Sequence, residues 1–180
     1  MKYNIENINP NNKFLFFWGH QPSKDGIVTK TSFSQWWESS FTVDGVEYKT
    51  AEHWMMAKKA RLFNDEIIFK RIIEVKSPAE AKKLGREVQN YNEEVWLKNR
   101  YEIVKEGNLH KFSQHQDLKE FLLNTKEVIL VEASPVDAIW GIGMANDHQD
   151  INNPKRWRGL NLLGFALMEV RDELRKQKTV

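Results

Sequence analysis

Residues 50–59 read TAEHWMMAKK, and they begin the first long run of helix formers in this chain of 180 residues. Thr50 is a good helix N-cap, so we predict a helix that starts directly after it. At helical spacing Glu52 and Lys59 lie on one face about two turns apart, roughly 10 Å along the axis, with Met56 between them. A carboxylate and an ammonium at this separation cannot form an ion pair, but each can contact a different part of one ligand.

The segments on either side of this helix carry clear local signals. Asp44-Gly45 separates two alternating apolar runs and predicts a β-hairpin, because this dipeptide tolerates positive φ. A second helix follows the first, and a third begins with the capping box Ser77-Pro-Ala-Glu80 and stops near Gly85. Asn92 can cap a long fourth helix, in which Gly107 is a candidate break.

Two short apolar runs, residues 14–18 and 127–131, predict buried strands. Residues 133–160 form a long irregular stretch, and loops of that length inside a domain are often functional. We therefore expect a single compact α+β domain over residues 14–176, mainly helical around a few short strands, after a polar segment, residues 1–13. The chain closes with a predicted amphipathic helix, whose apolar face contains Leu163, Leu167, Val170 and Leu174 and whose polar face contains Glu169, Asp172 and Lys176.

Composition excludes several classes of function. The absence of cysteine rules out disulfides and thiolate sites, and the net charge of +2 comes without a polybasic block of the kind that binds nucleic acid tightly. No signal peptide or membrane span is apparent, so we expect a soluble cytoplasmic protein that does not bind membranes. The five histidines lack a compact ligand spacing, and the Walker, dinucleotide and serine-hydrolase motifs are missing, so we expect no metal and no cofactor.

Three groups of residues are candidates for a site. Glu52 lies beside two methionines, and burial there would raise its pKa into the range of a general acid or base. The loop from Asp137 to Gly143, with Trp140, follows a buried strand and can bind ribose hydroxyls and a flat base. Lys82, Lys83 and Arg86 can hold a phosphate. Each group has an ordinary structural alternative: an exposed glutamate on a helix surface, a turn with a buried tryptophan, and solvated charges.

An ordered set of short motifs points to a known family. The set comprises Ser34-Gln-Trp36, Val43-Asp-Gly45, Thr50-Ala-Glu-His53, Lys59-Ala60, Gly85-Arg86, Trp96, Asp137-Ala-Ile-Trp-Gly141, Asn161-Leu-Leu-Gly164 and Arg171. Together these motifs resemble the NADAR family over about residues 14–175. The resemblance implies an α+β domain that cleaves ribose C1–N bonds, either in phosphorylated ribosylamine intermediates of riboflavin biosynthesis or in ADP-ribosylated guanine.

The resemblance also assigns roles to residues. It implies catalytic functions for Glu52, Lys59 and Asp137. The implied substrate-binding residues are Trp36, Arg86, Trp96, Trp140, Gly141 and Asn161. Two positions depart from the family pattern: many members have Gln at the position of Met56, and Asn at that of Gln35. Met56 lacks the amide group of that Gln, and Gln35 has a longer side chain than that Asn. These differences put the identity of the substrate in question more than the type of reaction.

Several alternatives remain at this point. A carboxylate of Glu52 or Asp137 can stabilise the oxocarbenium-like transition state and activate water, or Lys59 can form a Schiff base with the opened sugar. In either case we expect the loop around Asp137 to complete the site. The expected partner is a small ribosylated nucleotide, or ADP-ribosylated guanine in nucleic acid. A module that binds such a nucleotide without cleaving it is the alternative outside the enzymes.

Overall fold

The computed structural model describes residues 1–178. Its strands and helices, in chain order, are β1 (Phe14–Phe17), β2 (Phe41–Val43), β3 (Val46–Tyr48), α1 (Ala51–Leu62), α2 (Glu66–Glu74), α3 (Pro78–Gly85), α4 (Glu93–Gln114), α5 (Gln116–Asn124), β4 (Ile129–Glu132) and α6 (Leu162–Lys178). The chain divides into two compact units. Residues 35–115 form the inserted unit, and residues 1–34 with the chain from Gln116 onward form the terminal unit.

The inserted unit begins with the predicted hairpin. Strands β2 and β3 pair antiparallel, with Phe41 opposite Tyr48. Asp44 and Gly45 form the turn at φ values of 50° and 77°, so both central residues adopt the left-handed conformation that a tight hairpin turn requires. The prediction from this dipeptide is confirmed.

Helix α1 is the centre of the inserted unit, and α2, α3 and α4 pack against it. The Thr50 side chain accepts a hydrogen bond from the His53 N–H, which confirms Thr50 as the N-cap. Residues 51–57 are all buried. The surface-helix alternative for Glu52 is therefore wrong: the residue is 3% exposed, because α1 is enclosed on all sides at this end.

The candidate break at Gly107 is also wrong, since α4 continues through it as a helix to Gln114. A Cβ atom at Gly107 would lie 2.3 Å from Cδ1 of Trp54, so a side chain would collide with the indole. The Trp54 Nε1 donates to the carbonyl of Ile103, 2.8 Å away on the same face of α4. Glycine at this position lets α1 and α4 approach closely.

The terminal unit contains the two predicted buried strands. β1 and β4 pair in parallel, with Phe14 opposite Ile129 and Phe17 opposite Glu132. Helix α6 packs against β4 and α5. Because the strands are parallel, the residues that follow Phe17 and the loop that follows Glu132 leave the sheet at the same edge.

Helix α6 differs from the amphipathic helix predicted for it. Residues 161–171 are buried on every side. Glu169 is 9% exposed and accepts the backbone N–H of Lys2 at 2.6 Å. Arg171 is 1% exposed and donates to the Thr125 hydroxyl and to the Val128 carbonyl, each at 2.8 Å. Solvent-exposed polar positions begin only in the last two turns, because the N-terminal segment and the strand ends enclose the rest. Across residues 1–178, no helix is both long and apolar enough to cross a membrane.

Candidate functional site

Glu52 lies in the first turn of α1, where helical N–H groups have no partner within the helix. Its own N–H donates to the Gln35 carbonyl at 2.9 Å. The positive end of the helix dipole favours a carboxylate at this position, whereas burial disfavours it. Glu52 is therefore a shielded acid at a helix N-terminus.

His53, the next residue, has a structural function. Its Nε2 lies 3.2 Å from the Val75 carbonyl and must carry the proton, since a carbonyl can only accept. Its Nδ1, 2.8 Å from Oγ1 of Thr50, then accepts from that hydroxyl. Burial lowers the pKa of His53, so the neutral ring connects the start of α1 to the end of α2.

Lys59 lies two turns further along α1. Its Nζ donates to the Gly85 carbonyl at 2.7 Å and lies 4.5 Å and 5.6 Å from the ring centroids of Tyr91 and Trp96. Burial lowers the pKa of Lys59, and the positive charge of Arg86 lowers it further. The carbonyl and the ring faces act in the opposite direction, because they stabilise the ammonium. The result is a half-buried amine that is easier to deprotonate than a surface lysine.

Gly85 makes this arrangement possible. A Cβ atom there would lie 2.0 Å from Sδ of Met56, so a larger residue would force the Met56 side chain out of its present position. Met56 is the position at which many family members have Gln, and here its thioether fills the space against Gly85. The close approach places the Gly85 carbonyl within reach of Lys59.

Further cations and rings of the inserted unit lie around α3. Lys82 Nζ is 5.9 Å from the Trp36 ring, and Arg86, at the C-terminus of α3, is exposed. We call Lys59, Lys82, Arg86, Trp36, Tyr91 and Trp96 the cationic–aromatic cluster. Cations bind phosphate and ring faces stack on bases, so this combination suits a nucleotide.

Gln35 and Asn108 form a buried amide pair that the sequence did not indicate. They are 7% and 0% exposed. Asn108 Nδ2 donates to Gln35 Oε1 at 2.7 Å and to the Val104 carbonyl at 2.9 Å. Gln35 Nε2 and Asn108 Oδ1 are buried and have no hydrogen-bond partner. An unsatisfied buried group of this kind costs about 1–3 kcal/mol of stability, so its presence requires an explanation.

In the terminal unit, Asp137 shapes the loop after β4. Its Oδ1 accepts the N–H groups of Ile139 and Trp140, both at 2.8 Å. A Cβ atom at Gly141 would lie 2.8 Å from the Glu132 carbonyl, so this glycine permits a close return of the chain to β4. Asp137 and Trp140 are half-buried. One oxygen of the candidate catalytic carboxylate therefore organises the turn, and its catalytic role stays a prediction.

Both polar atoms of the Asn161 side-chain amide make hydrogen bonds to β4. Its Oδ1 accepts the Glu132 N–H at 3.0 Å and its Nδ2 donates to the Leu130 carbonyl at 2.9 Å. It is 0% exposed and adopts a left-handed φ of 53° just before α6. The amide thus extends the hydrogen bonding of β4, and its predicted contact with substrate remains untested.

The predicted site residues therefore fall into two groups. Glu52, Lys59, Trp36, Arg86 and Trp96 belong to the inserted unit, whereas Asp137, Trp140, Gly141 and Asn161 belong to the terminal unit. A cavity of about 400 Å³ between α2 and α3 is lined by none of these residues, although Lys83, predicted with Lys82 and Arg86 to hold a phosphate, does line it. Within residues 1–178, no three His, Asp or Glu side chains are grouped so that they could hold a metal ion.

Sequence reasoning missed three notable residues of the inserted unit: Tyr91, Asn108 and Lys111. Tyr91 precedes the cap of α4 and reads as a loop residue, although its ring lies against Lys59. Asn108 carries a detectable signal, because it is a polar residue one turn after buried Val104 on the inner face of α4. Lys111 continues that face, and burial lowers its pKa to about 7.

Comparison with known proteins assigns the family. The family model described as NADAR domain matches residues 16–175, which extend across both units. N-glycosidase R617 of Acanthamoeba polyphaga mimivirus is 44% identical over 167 residues, covering 89% of this chain and 96% of that protein. N-glycosidase YbiA of Escherichia coli (strain K12) is 32% identical over 148 residues, covering 82% of each. The chain therefore belongs to the NADAR domain family.

A solved structure supports the same assignment. The NMR structure of E. coli YbiA matches with a TM-score of 0.74 at 29% identity, covering 93% of this chain and 88% of that one. The predicted α+β class, mainly helical with a few short strands, is confirmed. The relatives are named N-glycosidases, which agrees with the predicted class of enzyme, a hydrolase acting on N-glycosyl compounds.

Proposed function

We propose that this protein hydrolyses the bond between ribose C1 and nitrogen in a phosphorylated ribosylamine or a related nucleotide. The observation that carries the proposal is the placement of two functional groups on α1: a buried carboxylate, Glu52, and a half-buried amine of lowered pKa, Lys59. Shielded groups of this kind are characteristic of active sites. The N-glycosidase names of the relatives supply the type of bond.

In the first route, a carboxylate acts on water. As the C1–N bond breaks, positive charge develops on the sugar, and the buried carboxylate of Glu52 stabilises it. The same carboxylate takes a proton from water, the water oxygen bonds to C1, and the departing nitrogen receives a proton. Asp137 is the second candidate for this role, through the oxygen that does not hold the turn.

In the second route, Lys59 attacks C1 as a neutral amine. The nitrogen of the base leaves with a proton, the sugar ring opens, and an iminium forms between C1 and Nζ. Water then adds to C1 and releases both the sugar and the lysine. Burial and the neighbouring Arg86 support this route, because both increase the fraction of neutral amine.

The cationic–aromatic cluster would bind the remainder of the substrate. Arg86 and Lys82 provide exposed positive charge for a 5′-phosphate. Trp36 and Trp96 are half-buried rings suited to stacking, and Tyr91 extends that surface. Trp140, Gly141 and Asn161 remain candidates for substrate contacts from the terminal unit.

The deciding experiment is an assay of the purified full-length protein against a panel of ribosylamine 5′-phosphates and ADP-ribosylated guanosine, with chromatographic detection of the released base. We expect base release from at least one ribosylamine phosphate. Release only from ADP-ribosylated guanosine would identify the other substrate class. Tight binding without release from any compound would contradict catalysis and indicate a nucleotide-binding module.

Glu52→Gln and Asp137→Asn test the carboxylates in the same assay. We expect Glu52→Gln to lower kcat/KM by about 100-fold or more, as for loss of a general base. Glu47→Gln, an exposed residue of β3, is the matched control and should leave kcat/KM unchanged. If both Glu52→Gln and Asp137→Asn retain full activity on every cleaved substrate, the carboxylate route is wrong.

A further inference from the structure

The buried pair Gln35 and Asn108 holds two polar atoms that neither catalytic route uses. Gln35 Nε2 is a donor and Asn108 Oδ1 is an acceptor, and both are buried without a hydrogen-bond partner. They belong to neighbouring amides, because Asn108 Nδ2 donates to Gln35 Oε1 at 2.7 Å. Two hydrogen-bonded amides therefore hold one unpartnered donor and one unpartnered acceptor.

The backbone of α4 fixes the polarity of this pair, that is, which amide has the unpartnered donor and which has the unpartnered acceptor. The Val104 carbonyl accepts from Asn108 Nδ2 at 2.9 Å, so rotating the Asn108 amide by half a turn would set oxygen against oxygen. With Asn108 fixed, rotating the Gln35 amide would set two donors against each other. The donor thus always belongs to Gln35 and the acceptor always to Asn108.

The backbone of Gln35 is joined directly to the residue proposed to act at C1. The Gln35 carbonyl accepts the N–H of Glu52 at 2.9 Å, so Gln35 is one hydrogen bond from the residue proposed to act at C1. The base of the substrate is bonded to C1. A group next to Glu52 is therefore well placed to contact the base.

We propose that Gln35 and Asn108 determine specificity by binding a ring amide of the base, an inference that rests on the proposed N-glycosidase function. Gln35 Nε2 donates to the ring carbonyl, and Asn108 Oδ1 accepts from the adjacent ring N–H. A donor–acceptor pair of fixed polarity matches a ring amide, whose own polarity is fixed. Sugar hydroxyls rotate to suit either polarity, so a pair of fixed polarity does not select among them.

The position also explains why the departure at Gln35 matters. The longer glutamine side chain reaches Asn108 while its backbone holds the first turn of α1. Both available atoms lie below the surface, so a ligand reaches them only after a local side-chain movement. Association slower than the diffusion limit is expected as a consequence.

Two nucleotides that differ only at the ring amide test the proposal. Inosine 5′-monophosphate has a ring carbonyl and an adjacent N–H, whereas purine riboside 5′-monophosphate has neither. Equilibrium binding of both to the full-length protein is measured by tryptophan fluorescence, without any need for cleavage. We expect the inosine nucleotide to bind at least about tenfold more tightly, as for a site whose buried polar groups lose their partners with the analogue.

The variant Gln35→Met removes the donor while preserving length. We expect the ratio of the two dissociation constants to fall to within about twofold of one, with binding of the purine riboside nucleotide retained. The control is Gln89→Met, since Gln89 is exposed in the same unit, and it should keep the wild-type ratio. Circular dichroism and the unfolding midpoint verify that each variant is folded.

The outcomes separate this proposal from the function on which it rests. Equal binding of the two nucleotides by the wild-type protein, or an unchanged ratio in Gln35→Met, would overturn the role of the amide pair and leave the proposed function standing. If the amides bind only a buried water, Gln35→Met changes the unfolding midpoint but not the ratio. Absence of binding for both nucleotides would count against the nucleotide site and the amide pair together.

Discussion

The surroundings of Lys59 change the pKa of its amine. Burial and Arg86 lower its pKa, while the Gly85 carbonyl and the rings of Tyr91 and Trp96 favour the charged amine. Such a residue can serve either as a nucleophile or as a fixed positive charge. The two functions respond differently to replacement by arginine, which keeps the charge but is not deprotonated near neutral pH.

Lys59→Met should lower kcat/KM by about 100-fold or more, because it removes both functions. Lys59→Arg distinguishes them. If Lys59 forms a Schiff base, the arginine variant is as inactive as Lys59→Met, and borohydride added during turnover leaves a stable sugar adduct on the wild-type lysine. If the amine only supplies charge, Lys59→Arg keeps at least about a tenth of the activity and no adduct forms. Near-normal activity of Lys59→Met would exclude both functions.

At the scale of elements, glycines set the distances between helices of the inserted unit. Gly107 lies against the Trp54 indole on α1, and Gly85 lies against Met56. Both contacts join α1 to a neighbour that carries a candidate site residue. Packing, and not the flexibility of glycine, accounts for these positions.

We therefore expect Gly107→Ala to destabilise the protein. Alanine is favoured over glycine in a helix by about 1 kcal/mol, but the added methyl group would overlap a ring that is 1% exposed, which typically costs about 1–3 kcal/mol. The predicted net effect is a lower urea midpoint. Lys98→Ala, at an exposed position of the same helix, should change stability by less than about 0.5 kcal/mol. An increase in the Gly107→Ala midpoint would show that the indole moves aside at little cost.

Much of the architecture was predictable because its signals are local. Thr50, Asp44-Gly45 and the Ser77–Glu80 capping box fix helix starts and a turn through contacts within four residues. Burial was less predictable, since it depends on distant segments. Glu169 reads as a surface residue of α6 until Lys2 is placed beside it.

The candidate site was also predictable only where its signals are local in the sequence. The family motifs predicted roles for Glu52, Lys59 and Asp137, and these stay predictions. Helical spacing alone could not decide that Glu52 is buried. The Gln35–Asn108 pair was not predictable, because the two residues are far apart in sequence and meet only through packing of α4 against the start of α1.

At the scale of the whole molecule, several ionisable groups make stability depend on pH in the same direction. The pKa of His53 is lowered, mainly by burial. The pKa values of Asp65 and Glu80 are lowered by the hydrogen bonds they accept. For Asp172, burial opposes the change, but hydrogen bonds from Lys2 and Tyr3 lower its pKa overall. In each case the unfolded chain binds protons more readily than the folded protein.

Acidification should therefore destabilise the protein in two stages. The decline due to the lowered pKa of Lys111 is largely complete near pH 7. Below that pH, stability declines first as the pH falls below about 6.5, where His53 of the unfolded chain becomes protonated, and again below about 4.5, where the carboxylates do. Thermal unfolding between pH 7.5 and 3.5 measures both stages. His53→Gln should weaken only the first, because glutamine is uncharged and can still donate to the Val75 carbonyl. An unchanged first stage in this variant would assign it to another group.

The parallel pairing of β1 with β4 also has a consequence for the order of folding. Phe14 and Ile129 are neighbours in the sheet, yet the whole inserted unit lies between them in the chain. During synthesis, residues 35–115 leave the ribosome with every strand and helix of their own unit already made, whereas β1 waits for the last third of the chain. Because distant pairings form slowly, we expect the unit that carries Glu52 and Lys59 to assemble first, with the pairing of β1 and β4 as the late, rate-limiting event.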